Sequence, residues 1–269
     1  MIVYKKISLF YVLIFFCFSK SFSQIKEEVQ IEQTKNGQTE TYHKIMLIPY
    51  DPNFYLSDAE QEIIEATKKD PKQVRESFRR TIDLYIQHGF SRLRPCISLL
   101  NDADSIPSLQ EALINIYSKT GYRYGNPMPL PYKPETNDSL SKQNKKAVKE
   151  TFDSRTAQQY ITFKGDAKYM NAVISKPEVL EELFKEYGTD IFVFINQFEI
   201  KTNYNSCLNI ANKIYKREIM LHFSVFEKNG KQIAGAYATT FFPSDSNNAF
   251  DIMKNCFPEL ARFVRMCVP

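Results

Sequence analysis

The chain has 269 residues, with 35 Lys and Arg against 31 Asp and Glu for a net charge of +4, and 43% hydrophobic content. Lys5, Lys6 and Lys20 fall within the first 23 residues, which contain no acid, so the remainder carries 32 basic and 31 acidic side chains. That balance excludes the basic surface of a nucleic-acid binder, and 21 Phe and 16 Tyr with only 8 Gly exclude a chain too polar to build a core.

Residues 1–23 have the three parts of a signal peptide: Lys5 and Lys6, an apolar run over 7–18, and the small-x-small site Ser21-Phe22-Ser23. The run is shorter than the roughly 20 residues a membrane helix needs. This predicts a periplasmic or secreted protein with no membrane span once the leader is removed. A lipid anchor on Cys17 is disfavoured, because Phe16 stands where that signal requires a small residue. In an oxidising compartment Cys96, Cys207, Cys256 and Cys267 are disulfide candidates, with three complete pairings open. Cys256 and Cys267 suit each other least, since an unbroken helix would hold them about 16 Å apart; Pro258 is the residue that would break it. There is no CxxC, and His43, His88 and His222 are scattered, so neither a metal nor another cofactor is expected.

Residues 24–42 are polar, with a turn signal at Asn36-Gly37, and read as a flexible N-terminal arm or an edge hairpin. The apolar strand HKIMLIPY, 43–50, opens the strand-plus-helix first half of an α/β domain spanning 43–120. Ser57 and Glu60 form a capping-box pattern that predicts a helix to about Lys69. Asp70-Pro71 with Gln73 predicts a second, with Val74, Phe78, Ile82, Tyr85 and Ile86 inward, Gly89 as its stop and Arg75, Arg79 and Arg80 on its solvated face. A third helix is predicted over 107–119. Residues 121–149 are Pro-rich and then Lys-rich, an exposed loop or linker that presents Tyr122, Tyr124 and Tyr132.

Residues 150–269 complete the same domain. Short strands are predicted at 158–163 and 169–174, then a helix with a cap signal at Ser175 and a stop at Gly188. In the next strand Ile191, Val193 and Ile195 alternate against Phe192, Phe194 and Phe198, so both faces are buried. A loop over 201–213 leads to a hairpin turning on Asn229-Gly230. Ala234, Ala236 and Ala238 leave room on its return arm for a helix, which begins near Asn247. The fold class is therefore α/β with α+β character: a mixed sheet with a C-terminal antiparallel hairpin covered by helices.

No nucleophile elbow, zinc-protease helix, phosphate loop, dinucleotide glycine pattern or EF-hand occurs. Glu199, late in the apolar strand, and Asp190, at its start, are weak candidates for catalytic acids. Asn196 and Gln197 sit in the middle of the strand, where buried amides need partners, and read as structural hydrogen-bonding groups. Tyr122, Tyr124, Tyr132, Asn203, Tyr204 and Asn205 suit a contact surface.

The opening strand Lys44–Tyr50, the helix-to-strand join Tyr187-Gly188-Thr189-Asp190 and the Asn229-Gly230-Lys231 turn together resemble the exported α/β domains of the TolB amino-terminal, CsgG-type and penicillin-binding-protein-activator lipoprotein group. The Ser-Phe-Ser-Gln leader end is similar to those of Bacteroidetes-type secreted proteins. The resemblance covers 43–120 and 170–265; the chain departs from it in lacking a clear lipidation Cys and in its proline-rich insertion. It implies a non-enzymatic envelope module that binds another protein, and assigns no residue a role. The expected function is thus protein–protein contact in envelope assembly or maintenance. The alternatives are a glycan or peptide hydrolase using Glu199 and Asp190 and a carrier of a small apolar ligand.

Overall fold

The computed structural model describes residues 32–35, 38–41, 44–128 and 168–269. The leader, Cys17, the predicted strand at 158–163 and Tyr132 lie outside the described residues. In chain order the elements are β1 (Glu32–Lys35), β2 (Gln38–Thr41), β3 (Ile45–Ile48), β4 (Tyr55–Ser57), α1 (Glu60–Thr67), α2 (Pro71–Ser91), β5 (Cys96–Ser98), α3 (Ser108–Ser118), β6 (Thr120–Gly125), β7 (Tyr169–Ile174), α4 (Glu178–Tyr187), β8 (Ile191–Asn209), β9 (Ile214–Glu227), β10 (Gln232–Pro243) and α5 (Ala249–Met266). β1 and β2 pair antiparallel, the hairpin form of the two N-terminal readings.

The main sheet runs β10-β9-β8-β3-β5, with β4 also on β8. β3 is parallel to β5 and to β8, whereas β8, β9 and β10 form an antiparallel meander. The α/β class with a mixed sheet and a C-terminal hairpin under helices is what the sequence led us to expect. One sheet face, with Ile45, Leu47, Val193, Leu221 and Val225, packs on α2 and α5 through Phe78, Ile82, Phe257 and Leu260. Ala234, Ala236 and Ala238 also face that side, small enough for α5 to lie close. The opposite face, with Met46, Ile48, Phe192 and Phe194, packs on α3, α4 and β7. β8 is therefore covered on both sides from Ile191 to Ile200, which is why seven of those ten residues are apolar.

Strict alternation along β8 fails at one residue. The β8–β9 register steps from Ile195↔Phe223 to Gln197↔His222, so Asn196 is the extra residue of a bulge. Every side chain beyond it changes face. Phe198 consequently joins Ile195 rather than Phe194, and its ring lies within 5.6–5.9 Å of those of Tyr50, Tyr55, Phe78 and Phe257.

The helix signals hold in part. The Asp70 carboxylate accepts the Gln73 amide at 2.9 Å with Pro71 in the first turn, and Gly188 ends α4 at φ +71°. Ser57 caps nothing: it closes β4, and its hydroxyl accepts from the Ala59 amide just ahead of α1. Ser175 likewise donates to the Lys119 carbonyl instead of starting α4. α2 continues through Gly89 to Ser91, because the core-facing series extends to Phe90. Arg79 is buried rather than solvated, donating to the Tyr50 carbonyl at 2.8 Å and to the Tyr117 hydroxyl at 3.1 Å. Pro258 lies inside α5 without ending it.

Candidate functional site

β6 and β7 form a separate antiparallel pair, with β7 laid against the β8–β10 meander. A strand's second edge presents amides and carbonyls that must find partners. Here side chains of the main sheet supply them. His222 Nδ1 accepts the Met170 amide at 2.9 Å, Ser224 Oγ accepts the Ala172 amide at 3.3 Å, and Asn196 Nδ2 donates to the Met170 carbonyl at 2.8 Å. Asn196 Nδ2 also donates to Ser224 Oγ at 2.7 Å, and Ser224 in turn donates to Asn171. Beside them Gln232, Asn171 and the Tyr169 hydroxyl bond to one another. Asn196 faces this layer by alternation with Phe192 and Phe194, the bulge brings Gln197 onto the same face beside it, and both are fully buried there. The Gln197 amide exchanges hydrogen bonds of 3.2–3.3 Å with the Tyr124 hydroxyl, so the structural role read for this pair is present.

Glu199 stands one step further along the same face. Burial raises its carboxyl, but contacts with His222 and Lys201 outweigh that and leave it below the usual range. Its Oε1 is 2.6 Å from Lys201 Nζ and its Oε2 is 3.9 Å from His222 Nε2. His222 lies between the rings of Tyr124 and Tyr237, at 6.4 and 5.8 Å. Asp190 is elsewhere: its carboxylate accepts the Lys44 amide at 3.0 Å. Nine steps along the chain separate the two acids, about 30 Å at 3.3 Å per residue, so they do not share a cleft. The companion of Glu199 is His222, which the sequence marked only as one of three scattered histidines. Its alternation opposite the core-facing Leu221 and Phe223 was the available signal.

The aromatic contact set divides. Tyr122 and Tyr124 belong to β6, not to a loop, because residues 120–125 pair with 169–174. Tyr122 is half-buried with its ring 4.5 Å from that of Phe54, while Tyr124 is 52% exposed. The 201–213 stretch is not a loop either. β8 is nineteen residues long, about 60 Å at strand rise, and its outer half projects with β9 as a two-stranded arm. Asp58 holds its root by accepting the Thr202 amide at 2.8 Å, and the buried Arg217 contacts Thr202 and Glu62. Beyond that root the pairing loosens to Cys207↔Tyr215 and Asn209↔Ile214. Asn203 accepts the Asn205 amide within the arm, and the Tyr204 ring packs at 5.3 Å on Tyr215. Tyr204, Leu208 and Ile210 are 70%, 44% and 86% exposed.

Cys96, Cys207, Cys256 and Cys267 are all free thiols. Cys256 and Cys267 are carried by one unbroken helix and its cap, too far apart to bridge. Burial pushes both thiols up to about 12. Among the described residues no set of three His, Cys, Asp or Glu is grouped to hold a metal ion, and no helix is long and apolar enough to cross a membrane.

A second buried cluster lies at the end of β5, and nothing in the sequence analysis singled it out. Ser98 Oγ donates to Asp83 Oδ2 and accepts the Leu100 and Asn101 amides at 3.0 and 2.8 Å. Asn101 Nδ2 donates to the same Asp83 oxygen at 2.9 Å, and Asp102 accepts from the Ser98 amide and from Gln87. Burial raises the Asp83 carboxyl to about 7, partly offset by Ser98 and Arg79. The cluster fixes the turn that follows β5.

No family model matches the chain, and no curated protein or solved structure does either.

Proposed function

We propose that the protein is a non-enzymatic exported module of the cell envelope that works by protein–protein contact, with the β8–β9 arm as its docking surface. The observation that carries this reading is a contrast along one strand. β8 is buried from Ile191 to Ile200 and then, in its outer half, offers Tyr204 and Leu208 to water, with Ile210 at the tip. Covering a side chain of this size stabilises by about 1.5–3 kcal/mol, and three together make the apolar centre of a small interface. Residues 201–216 carry no acid; Lys201 and Lys216 are held at the root by Glu199 and Glu218, which leaves Lys213 near the tip. The partner surface that complements these groups is an apolar pocket with a carboxylate at its edge. The signal-peptide pattern and the likeness to exported envelope domains support the same reading.

The test is photo-cross-linking from position 210 of the tagged chain expressed with its leader. The expected result is one envelope protein joined to the arm, and loss of that adduct from other arm positions in a Leu208→Asp/Ile210→Asp variant whose melting temperature is unchanged. An arm that joins nothing, or an adduct indifferent to the two substitutions, overturns the reading.

A further inference from the structure

α3 carries more apolar side chains than the core takes up. Leu109, Ala112 and Ile116 face the sheet. Ile114 stands 64% exposed on the far side of the helix. Ile106, whose carbonyl accepts the Leu109 amide as the first turn begins, is 40% exposed two turns before it. The charge around this face has one sign. Residues 95–118 contain Asp102, Asp104 and Glu111 and no Lys or Arg. α4 lies beside α3, tied to it by the Tyr187 and Ser108 hydroxyls at 2.9 Å, and carries four glutamates against Lys185. Arg80 and Lys119 reach Asp104 and Glu182. Glu111 and the other α4 glutamates, Glu178, Glu181 and Glu186, are exposed.

The arm is the converse surface: Leu208 and Ile210 in water, Lys213 near the tip and no acid from 201 to 216. Other exposed apolar side chains of the described surface have the wrong company or place. Leu84 stands between Arg80 and His88 on α2, Phe250 is one turn from Lys254 on α5, and Leu56 pairs at the root of the arm itself. Nor can a chain seat its own arm on its own α3. α3 and α4 pack on Phe192 and Phe194, near the start of β8, and from Phe194 to Asn209 is about 50 Å of strand. We propose that the arm's partner is a second copy of this chain, with Leu208 and Ile210 of one copy seated on Ile106 and Ile114 of the next and Lys213 facing Glu111 and the α4 glutamates. The inference rests on the arm as a docking surface and adds what docks there. The two surfaces differ, so the contact is heterologous. A copy that receives an arm still offers its own, and the assembly grows as a chain or closes as a ring instead of stopping at a two-fold dimer.

Sedimentation velocity of the leader-free protein tests this with two substitutions of exposed side chains. The wild type is expected to pass beyond dimer as its concentration rises. Ile210→Asp spoils the arm and leaves the face, whereas Ile114→Lys spoils the face and leaves the arm. Each alone should weaken self-association at least tenfold with Tm unchanged. Mixed in equal amounts, the two should form a one-to-one dimer and nothing larger, since each such pair holds one intact arm and one intact face. A wild type that stays monomeric up to about 1 mM overturns the proposal, as does a mixture in which the variants fail to complement. Photo-cross-linking from position 210 separates this inference from the reading it rests on. An adduct of twice the chain mass, abolished by Ile114→Lys, supports both. An adduct with a different protein overturns the self-contact and keeps the arm as a docking surface, and the absence of any adduct overturns the docking surface itself.

Discussion

The Tyr169 hydroxyl occupies the space that a β-carbon on residue 235 would need: such an atom would sit 2.1 Å from that oxygen and 2.6 Å from Gln232 Nε2. Gly235 is therefore glycine because β7 crosses β10 at that point, with Tyr169 as the contact. Gly235→Ala is expected to destabilise the fold by about 1–3 kcal/mol, the usual range for overpacking. Tyr169→Phe alone should cost about 1 kcal/mol through its lost hydrogen bonds. Combined, the two should cost less than their sum, since the second substitution removes the closest contact created by the first. Urea unfolding of the three variants measures this.

Asp83 gives a pH dependence of definite sign. Its carboxyl titrates near 7 in the fold against 3.8 unperturbed. Between those values the folded state holds a proton that the unfolded state has released, so this contribution is full below about pH 4 and is lost as pH rises through 7. Its ceiling is about 4 kcal/mol. Asp83→Asn should remove this decline, so that wild type and variant diverge with rising pH in chemical unfolding between pH 5 and 8.

Asn196→Ala should loosen the β6–β7 pair before it loosens the sheet. The substitution removes the donor to the Met170 carbonyl and to Ser224, a loss of about 1–3 kcal/mol for buried groups. Hydrogen exchange is expected to accelerate at the Met170 and Ala172 amides while those of Val193 and Ile195 keep their protection. Equal acceleration at all four would contradict this division.

The thiols should separate by reactivity. Cys207 is exposed on the arm, whereas Cys256 and Cys267 are buried and raised to about 12. Thiolate, not thiol, is the reactive species. Maleimide is expected to modify Cys207 in the native protein within minutes and the two α5 thiols only on unfolding, as read by intact mass.

Much of the architecture was legible because local signals and burial agreed. β7 was predicted at its observed bounds, the Asp70 cap and Gly188 stop formed, and the alanines of β10 face α5. The failures share a cause: partners distant in sequence decided the outcome. The bulge at Asn196 follows from what two amides can bond across the sheet, which periodicity does not encode. Arg79 reads as a surface charge until the Tyr50 carbonyl is placed beside it. The polar run 201–213 looks like a loop because an arm with little to bury has no apolar alternation. The Glu199–His222 contact was half visible, through Glu199; His222 stands opposite Gln197, two positions from Glu199, only because of the register shift at Asn196.

The way β7 is held has a consequence for how the chain selects among strands while folding. Backbone ladders accept almost any sequence in extended form, so an ordinary open edge recruits whichever strand arrives first. The seat for β7 is written in side chains: an imidazole nitrogen for one amide, a serine hydroxyl for the next, an asparagine for the carbonyl between, and a vacancy at Gly235 shaped for a tyrosine. An intruding strand in another register would present a carbonyl to a lone pair or a methyl group to a polar pocket. The seat thus works as an address, and it guards the broad face of the meander against both slipped pairing and strands from other chains.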